Sequence, residues 1–312
     1  MLRSSNLPRG TDEKKVARSD WMRLYFSGVR GSTPATGVEF VRYGGNTSCV
    51  AVAQDDGGTL GTATAPPTLI LDAGTGIRRV SRLLGEDPFI GTILMTHLHW
   101  DHVQGLPFFR AGDRVDSRVH VVIPDQPDGR DAEEVLAGMM SPPHFPIRPR
   151  QLRGAWTFRT AVPGVVELGP GLEGLSVTAQ EVPHKGGTTF GFRVSDGHSS
   201  IAYIPDHCPT AYGSGVDGWG EYHAAALRLA DSVDVLIHDA QLVTEELAAE
   251  ASFGHAAAEY AVELGIQAKV GRVVLFHHSP ERTDDELDSI AKRFAASDVP
   301  VTAADEQLVI DL

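Results

Sequence analysis

Seven consecutive residues, Thr96-His97-Leu98-His99-Trp100-Asp101-His102, constrain this chain more than any other stretch. Three histidines and an aspartate fall within six positions, directly after the apolar run Thr92-Ile93-Leu94-Met95. That run predicts a buried strand, so the cluster belongs on the loop leaving its C-terminal end. Ligands that share one tight loop need little further ordering to converge on a metal ion. With 13 histidines in the chain, an accidental H-x-H-x-D-H match is rare, on the order of one in a thousand.

At 312 residues the chain is long enough to bury a sizeable core, and its 42 % hydrophobic and 22 % charged content is ordinary for a globular protein. No apolar stretch reaches the length of a membrane span, so no membrane partner is expected. Residues 1–20 are polar, mixed in charge and without an apolar h-region. They read as a flexible leader, and 21–312 reads as one domain. The two cysteines, Cys49 and Cys208, make no disulfide framework, which suits a reducing cytoplasm. Cys49, in Ser48-Cys49-Val50-Ala51-Val52, reads as a small buried hydrophobe, while the role of Cys208 stays open. The formal net charge of −14 repels long polyanions, so no long nucleic acid is expected, but a small anionic substrate is not excluded. A homo-oligomer is left open.

Strands are predicted at Met22–Ser27, Thr47–Ala53, Thr68–Asp72, Arg118–Ile123, Ser176–Val182, Thr188–Ser195, Ser199–Ile204, Val233–Ile237, Arg272–Phe276 and Gln307–Leu312. Asp196-Gly197 is a hairpin signal. Helices are predicted from Gly76 to about Leu84, Asp131 to Met140, Tyr222 to Ala230, Gly254 to Leu264, and Asp284 to Ala296 with Thr283 as N-cap. Strands mixed with helices throughout, with no repeat and no compositional border, indicate one α/β domain of two sheets with helices outside. Ser141 to Pro149 holds four prolines in nine residues, which excludes a helix or a central strand. It could form a lip over a pocket, with Phe145 and Met139-Met140 as its apolar part, or be a plain surface connector.

Further polar residues stand at strand ends. His184 follows Gln180-Glu181-Val182-Pro183, Asp206 follows Ile201-Ala202-Tyr203-Ile204-Pro205, and His277 follows Val273-Val274-Leu275-Phe276. Histidine and aspartate just past an apolar strand are where a site on a sheet edge is built. Because His278 directly follows His277, the residues alone leave open which of the two faces that site. Asp72, in Leu71-Asp72-Ala73-Gly74-Thr75-Gly76, could orient a histidine or cap the following helix. Arg30, beside the first turn, could meet a phosphate or be an ordinary surface arginine. His120 within a strand reads as structural, and His198 in a hairpin turn as exposed.

Taken in order, Asp72, His97-x-His99-x-Asp101-His102, His184, Asp206 and His277 resemble the five motifs of the metallo-β-lactamase superfamily, from about Met22 to the C-terminus. Gly31-Ser32-Thr33-Pro34 and Tyr43-Gly44-Gly45-Asn46-Thr47-Ser48 resemble its phosphodiesterase branch, which includes ribonuclease Z and cyclic-nucleotide phosphodiesterases. The resemblance implies an αββα sandwich of two mixed β-sheets flanked by helices, with a two-metal site at one edge. It implies that His97, His99 and His184 hold one ion, that Asp101, His102 and His277 hold the other, and that Asp206 bridges them. It also selects His277 over His278 and places Asp72 behind a ligand imidazole. Two divalent ions are implied, zinc first, with Mn, Fe or Ni as alternatives. Phe253-Gly254-His255 resembles the helix start that carries a catalytic histidine in that branch, with Asp239 orienting it; where ribonuclease Z has Ser-Thr next, this chain has Ala256-Ala257.

This resemblance points to a hydrolase that opens a phosphodiester by attack of a hydroxide shared by two metals. Asp101 would orient the nucleophile and His255 would assist the leaving oxygen. Transfer-RNA processing is not expected, because the interval from His184 to Asp206 is filled by a hairpin rather than the protruding arm of ribonuclease Z. A small or cyclic phosphodiester leads. A carboxyl-ester, lactone or thioester hydrolase is the alternative, and a non-catalytic metal-dependent regulator is the third reading.

Overall fold

The computed structural model of the chain describes residues 22–54 and 65–312. The expected leader, 1–20, lies outside the described residues. The strands described are β1 (Met22–Gly28), β2 (Cys49–Gln54), β3 (Leu69–Leu71), β4 (Ile90–Leu94), β5 (Arg118–Pro124), β6 (Ala155–Ala161) and β7 (Gly164–Val165). They continue with β8 (Ser176–Glu181), β9 (Phe190–Ser195), β10 (Ser200–Ile204), β11 (Val235–Asp239), β12 (Val273–Phe276), β13 (Val301–Ala303) and β14 (Val309–Asp311). The helices are α1 (Ile77–Leu83), α2 (Trp100–Val103), α3 (Ala132–Ala137), α4 (Ala224–Ala230), α5 (Leu247–Glu250), α6 (Ala258–Gln267) and α7 (Asp284–Arg293).

These strands form two seven-stranded sheets, ordered β14-β1-β2-β3-β4-β5-β6 and β13-β12-β11-β10-β9-β8-β7. Each sheet is antiparallel in one half and parallel in the other: β3 to β6 run parallel, as do β10 to β13. The parallel strands β3, β10, β11 and β12 are buried along their whole length. That explains why they read as unbroken apolar runs rather than alternating patterns. Their apolar residues leave the loops at the C-terminal strand ends to carry the polar chemistry.

Three apolar layers hold the sandwich. Phe26 and Leu24 of β1, Tyr203 of β10 and Phe276 of β12 pack between the sheets, with Phe26 and Phe276 rings 6.2 Å apart. Behind the first sheet lie Ile77 and Val80 of α1 and Leu136 of α3. Behind the second lie Leu229 of α4, Tyr260 and Leu264 of α6, and Ile290 of α7. The helix α7 begins at Thr283, whose hydroxyl accepts from the Glu286 N–H in a capping box.

Several boundaries differ from the sequence expectation. The helix expected from Gly254 begins only at Ala258, so His255 stands before it in extended chain. The strands β6, β7 and β13 were not anticipated. β6 is an edge strand with mostly exposed residues, and β7 and β13 are only two and three residues long, too short to show a period. Met140 is fully buried and so belongs to the core rather than to an apolar lip.

Arg30 is neither a surface residue nor aimed at a ligand. It is fully buried and donates to the carbonyls of Gly44, Ser279 and Arg282, fastening the β1 turn to the loop after β12. His278 lies beside it, buried, with Nε2 donating to the Ala304 carbonyl. Burial and then the Arg30 guanidinium push His278 down to about 3. The folded state therefore keeps this ring neutral at pH values where the unfolded chain protonates it. Its stability contribution is complete above about pH 6.5 and is lost as pH falls towards 3. In urea unfolding between pH 6 and 4, His278→Gln should therefore show a pH slope shallower than the parent by about 1.4 kcal/mol per pH unit; an unchanged slope would show that His278 is not held neutral.

Candidate metal centre

Four loops from both sheets meet at one edge, and each brings ligand candidates that the sequence singled out. The loop after β4 carries His97, His99, Asp101 and His102. His184 follows β8, Asp206 follows β10 and His277 follows β12. Donor atoms of His97, His99, His184 and Asp206 lie within 4.8 Å of one another, as do those of Asp101, His102 and His277. Asp206, His255 and His277 form a third such group, so Asp206 and His277 stand where the sets join.

Asp206, at 1 % exposure, divides its two oxygens between the sets. Its Oδ1 lies 3.3 Å from His184 Nε2 and 3.8 Å from His97 Nε2. Its Oδ2 lies 2.9 Å from His102 Nε2 and 3.3 Å from His277 Nε2.

Residues behind the cluster set the tautomers. Asp72 is fully buried and takes four donors: the Thr96 N–H, the Thr96 hydroxyl, the Tyr203 hydroxyl at 2.9 Å and His102 Nδ1 at 2.8 Å. Asp72 is therefore not the cap of α1, whose N-cap is Gly76. His184 Nδ1 donates to the Gly254 carbonyl at 2.7 Å, and His97 Nδ1 meets the Thr96 hydroxyl at 3.1 Å. With Nδ1 carrying the proton, each Nε2 turns a lone pair inward. Inside the cluster the ring nitrogens crowd together: His184 Nε2 and His99 Nδ1 are 3.3 Å apart, and His102 Nε2 and His277 Nε2 are 3.2 Å apart. His97 Nε2, Asp206 Oδ2 and His277 Nδ1 are buried without a hydrogen-bond partner. Buried polar atoms without a partner are costly unless a cation lies among them, so the residues fit divalent metal.

The carboxylates draw positive charge to this centre. Burial opposes charge on His102, yet Asp101, Asp206 and Asp72 hold its pKa well above the ordinary histidine value. Burial likewise opposes charge on Asp206, but His277, His102, His97 and His184 hold its carboxylate well below the usual range. His97, His99 and His184 are pushed down, chiefly by burial, which keeps them neutral and able to ligate.

His255 stacks on His277, ring centres 5.0 Å apart, and its Nδ1 donates to Asp239 Oδ2 at 3.0 Å. Asp239 also accepts the backbone N–H groups of His207, Gln241 and Ala256, so it is rigidly placed. Burial works against a charge on His255, but Asp239, Asp206 and Asp101 outweigh it and raise the pKa to about 9. The recess above the cluster, about 410 Å³, is lined by Ser32, Leu98, His99, Trp100, Asp101, Asp206 and His255. No residue of Ser141–Pro149 lines it. Phe145 instead packs edge-on against Phe108, so the expected lip role falls to Trp100, at 77 % exposure.

Of the neighbouring histidines, His277 joins the cluster while His278 turns away into the core, neither to solvent nor to substrate. Some contributors were not seen in the sequence. Thr96 and Tyr203 hold Asp72, and the Ser32 N–H donates to Asp101 Oδ2 at 2.7 Å. Behind Asp239 runs a string of imidazoles, His238, His207 and His223, linked at 3.0 and 2.8 Å and pushed down in pKa by burial. Their spacing of sixteen and thirty-one positions offers no local signal. Cys49 is buried and Cys208 is half-buried, with its sulfur 3.6 Å from the Thr210 hydroxyl.

Comparison with known proteins agrees with this fold. The family model described as the beta-lactamase superfamily domain matches residues 68–278. A ribonuclease Z of Exiguobacterium sibiricum is 39 % identical over 61 residues, which is 20 % of each chain; the chain thus matches about a fifth of that relative's length. The metallo-beta-lactamase fold protein YhfI from Bacillus subtilis superposes with a TM-score of 0.66 at 17 % identity, covering 94 % of this chain and 100 % of that one. A diphosphatase of the PhnP family superposes with a TM-score of 0.64 at 16 % identity, covering 93 % and 97 %. No helix among the described residues is long and apolar enough to cross a membrane. With more than half of its length inside the family model and the αββα sandwich in place, the chain belongs to the beta-lactamase superfamily.

Proposed function

We propose that this protein is a dinuclear metal hydrolase acting on a small or cyclic phosphodiester. The observation that carries the reading is the divided carboxylate of Asp206, with one oxygen turned to each set of histidines. His97, His99 and His184 would hold one cation; Asp101, His102 and His277 would hold the second, with Asp206 shared. Imidazole-rich sets favour zinc, while the carboxylate in the second also accepts manganese or iron. When bound, such a pair supplies hydroxide near neutral pH and takes up charge on the phosphoryl oxygens.

The remaining steps belong to the chain's own residues. Asp101 Oδ2 accepts the Ser32 N–H and lies 3.0 Å from His277 Nε2, its fellow ligand, which leaves Oδ1 to orient the attacking water in the recess. His255, with Nδ1 committed to Asp239, keeps Nε2 for the substrate. Asp239, beside Nδ1, favours its imidazolium form. An imidazolium donates a proton to a departing alkoxide and stabilises charge building on phosphorus. That role suits a phosphodiester better than a carboxyl ester, whose hydrolysis has less need of a cation at this point.

The recess of about 410 Å³ is of the size that small ligands occupy. The net charge of −14 and the plain β9–β10 hairpin between His184 and Asp206 favour a small anion over a folded RNA. The similarity to a ribonuclease Z supports chemistry at phosphorus.

Metal-loaded protein assayed on bis-p-nitrophenyl phosphate and on a lactone and thioester panel should turn over the diester preferentially. Preference for the lactones or thioesters would replace this reading with the carboxyl-ester one, and no turnover of either would favour a regulatory protein. His255→Ala should slow diester turnover by roughly 10²- to 10⁴-fold while metal content stays at the parent level. A loss of metal in that variant would make His255 a ligand instead.

A further inference from the structure

On the outer side of the first sheet, α1 and the loop following the 3-10 turn at Leu106–Phe108 enclose a recess of about 760 Å³. It shares no lining residue with the recess over the metal centre. Five arginines border it in a chain where Asp and Glu outnumber Lys and Arg by 41 to 27. Two of them are neutralised: Arg114 pairs with Asp116 at 3.1 Å, and Arg153 pairs with Asp113 at 2.9 Å. The other three, Arg78, Arg82 and Arg110, are exposed, and their side chains have no hydrogen bond or ion pair among the described residues.

Their placement is unfavourable for the protein alone. Arg78 and Arg82 are four residues apart on α1, hence on one face, where like charges repel. Arg110 approaches from the facing loop, which is tied to α1 by the Ala111 N–H donating to the Ser81 hydroxyl at 3.2 Å. The recess thus gathers three guanidiniums without an ion pair, against one further lining carboxylate, Glu86, on elements held in fixed relation. Its wall includes Phe108, at 55 % exposure, whose ring is steadied by the edge-on contact with Phe145.

We propose that this recess is a second ligand site, taking a small molecule that carries two or more linked phosphates. Guanidinium groups bind phosphate oxygens through paired N–H donors. Three of them around a volume larger than one phosphate match an oligophosphate better than a lone anion. Phe108 offers a flat apolar face to a planar group attached to it. The local excess of positive charge, set in a surface that is acidic elsewhere, admits a compact polyanion and repels a long one. The site does not depend on the reaction at the metal centre.

Isothermal titration of the metal-loaded protein with inorganic tripolyphosphate, and separately with ADP, tests the site. Because phosphates also bind metal ions, the arginines supply the discriminating comparison. The parent should show a saturable event that weakens with added salt and that loses at least about tenfold in affinity in the Arg78→Ala, Arg82→Ala, Arg110→Ala triple variant. The single charge reversal Arg82→Glu should weaken it as well, and bis-p-nitrophenyl phosphate turnover should stay at the parent rate in both. Tighter binding of ADP than of tripolyphosphate, abolished by Phe108→Ala, would place a nucleoside on the Phe108 face. The proposal is overturned if the triple variant keeps the parent isotherm, which would put all binding at the metal centre. It is equally overturned if the parent shows no saturable event, or if a single-stranded RNA oligomer binds through these arginines while tripolyphosphate and ADP do not.

Discussion

A buried carboxylate that faces two groups of imidazoles at once is the interaction on which the centre depends. Asp206 is removed from water, and a lone carboxylate in such a place would be protonated or expelled. It stays ionised because His277, His102, His97 and His184 surround it. The imidazoles in turn cannot share protons with one another, since Asp72, Thr96 and the Gly254 carbonyl already fix the Nδ1 positions of His102, His97 and His184. Positive charge is needed between them, which divalent cations supply.

The sandwich exists, in functional terms, to bring four strand ends to that point. Buried parallel strands supply stiff apolar stems, and the chain turns polar only where they end. Two of the turns are strained: Asp72 and His277 adopt left-handed backbone, with φ of 61° and 59°. Such conformations cost a non-glycine residue about 1 kcal/mol or more. At His277 the sharp turn after β12 sends this ring to the cluster and its neighbour His278 into the core. Gly31 closes against the same ring, where an added Cβ would lie 2.4 Å from the His277 Nδ1. The approach of the first turn to the metal edge therefore requires glycine.

Much of this was legible in the sequence, and for a physical reason. His97 to His102, His184, Asp206 and His277 each follow an apolar run, so composition changes abruptly where the stem ends and the site begins. The order of those residues carried the family resemblance. What stayed hidden lacked a local signature. β6 is an edge strand marked only by the short alternation of Trp156 and Phe158 among exposed residues. Arg30 looked like a surface residue because nothing nearby in sequence reveals the three carbonyls, from residues 44, 279 and 282, that it ties together. The proline-rich stretch promised a lip, but its Phe145 found Phe108 rather than the metal recess, and the exposed ring beside the cluster is Trp100. His207 and His223 gained meaning only through folding, as members of an imidazole string behind Asp239.

Global and local charge pull in different directions here. A net −14 surface discourages long polyanions, while the metal edge and the arginine recess each concentrate positive charge where a small anion can reach it. The central claim is that Asp206 joins two ions. Its most direct test is the metal content of protein equilibrated with zinc and passed through a desalting column, measured by plasma mass spectrometry for the parent and for Asp206→Ala. The account predicts close to two ions per parent chain and a clear loss in the variant, whose two histidine sets no longer share an anion. A parent that retains one ion or none, or a variant that retains both, would contradict it.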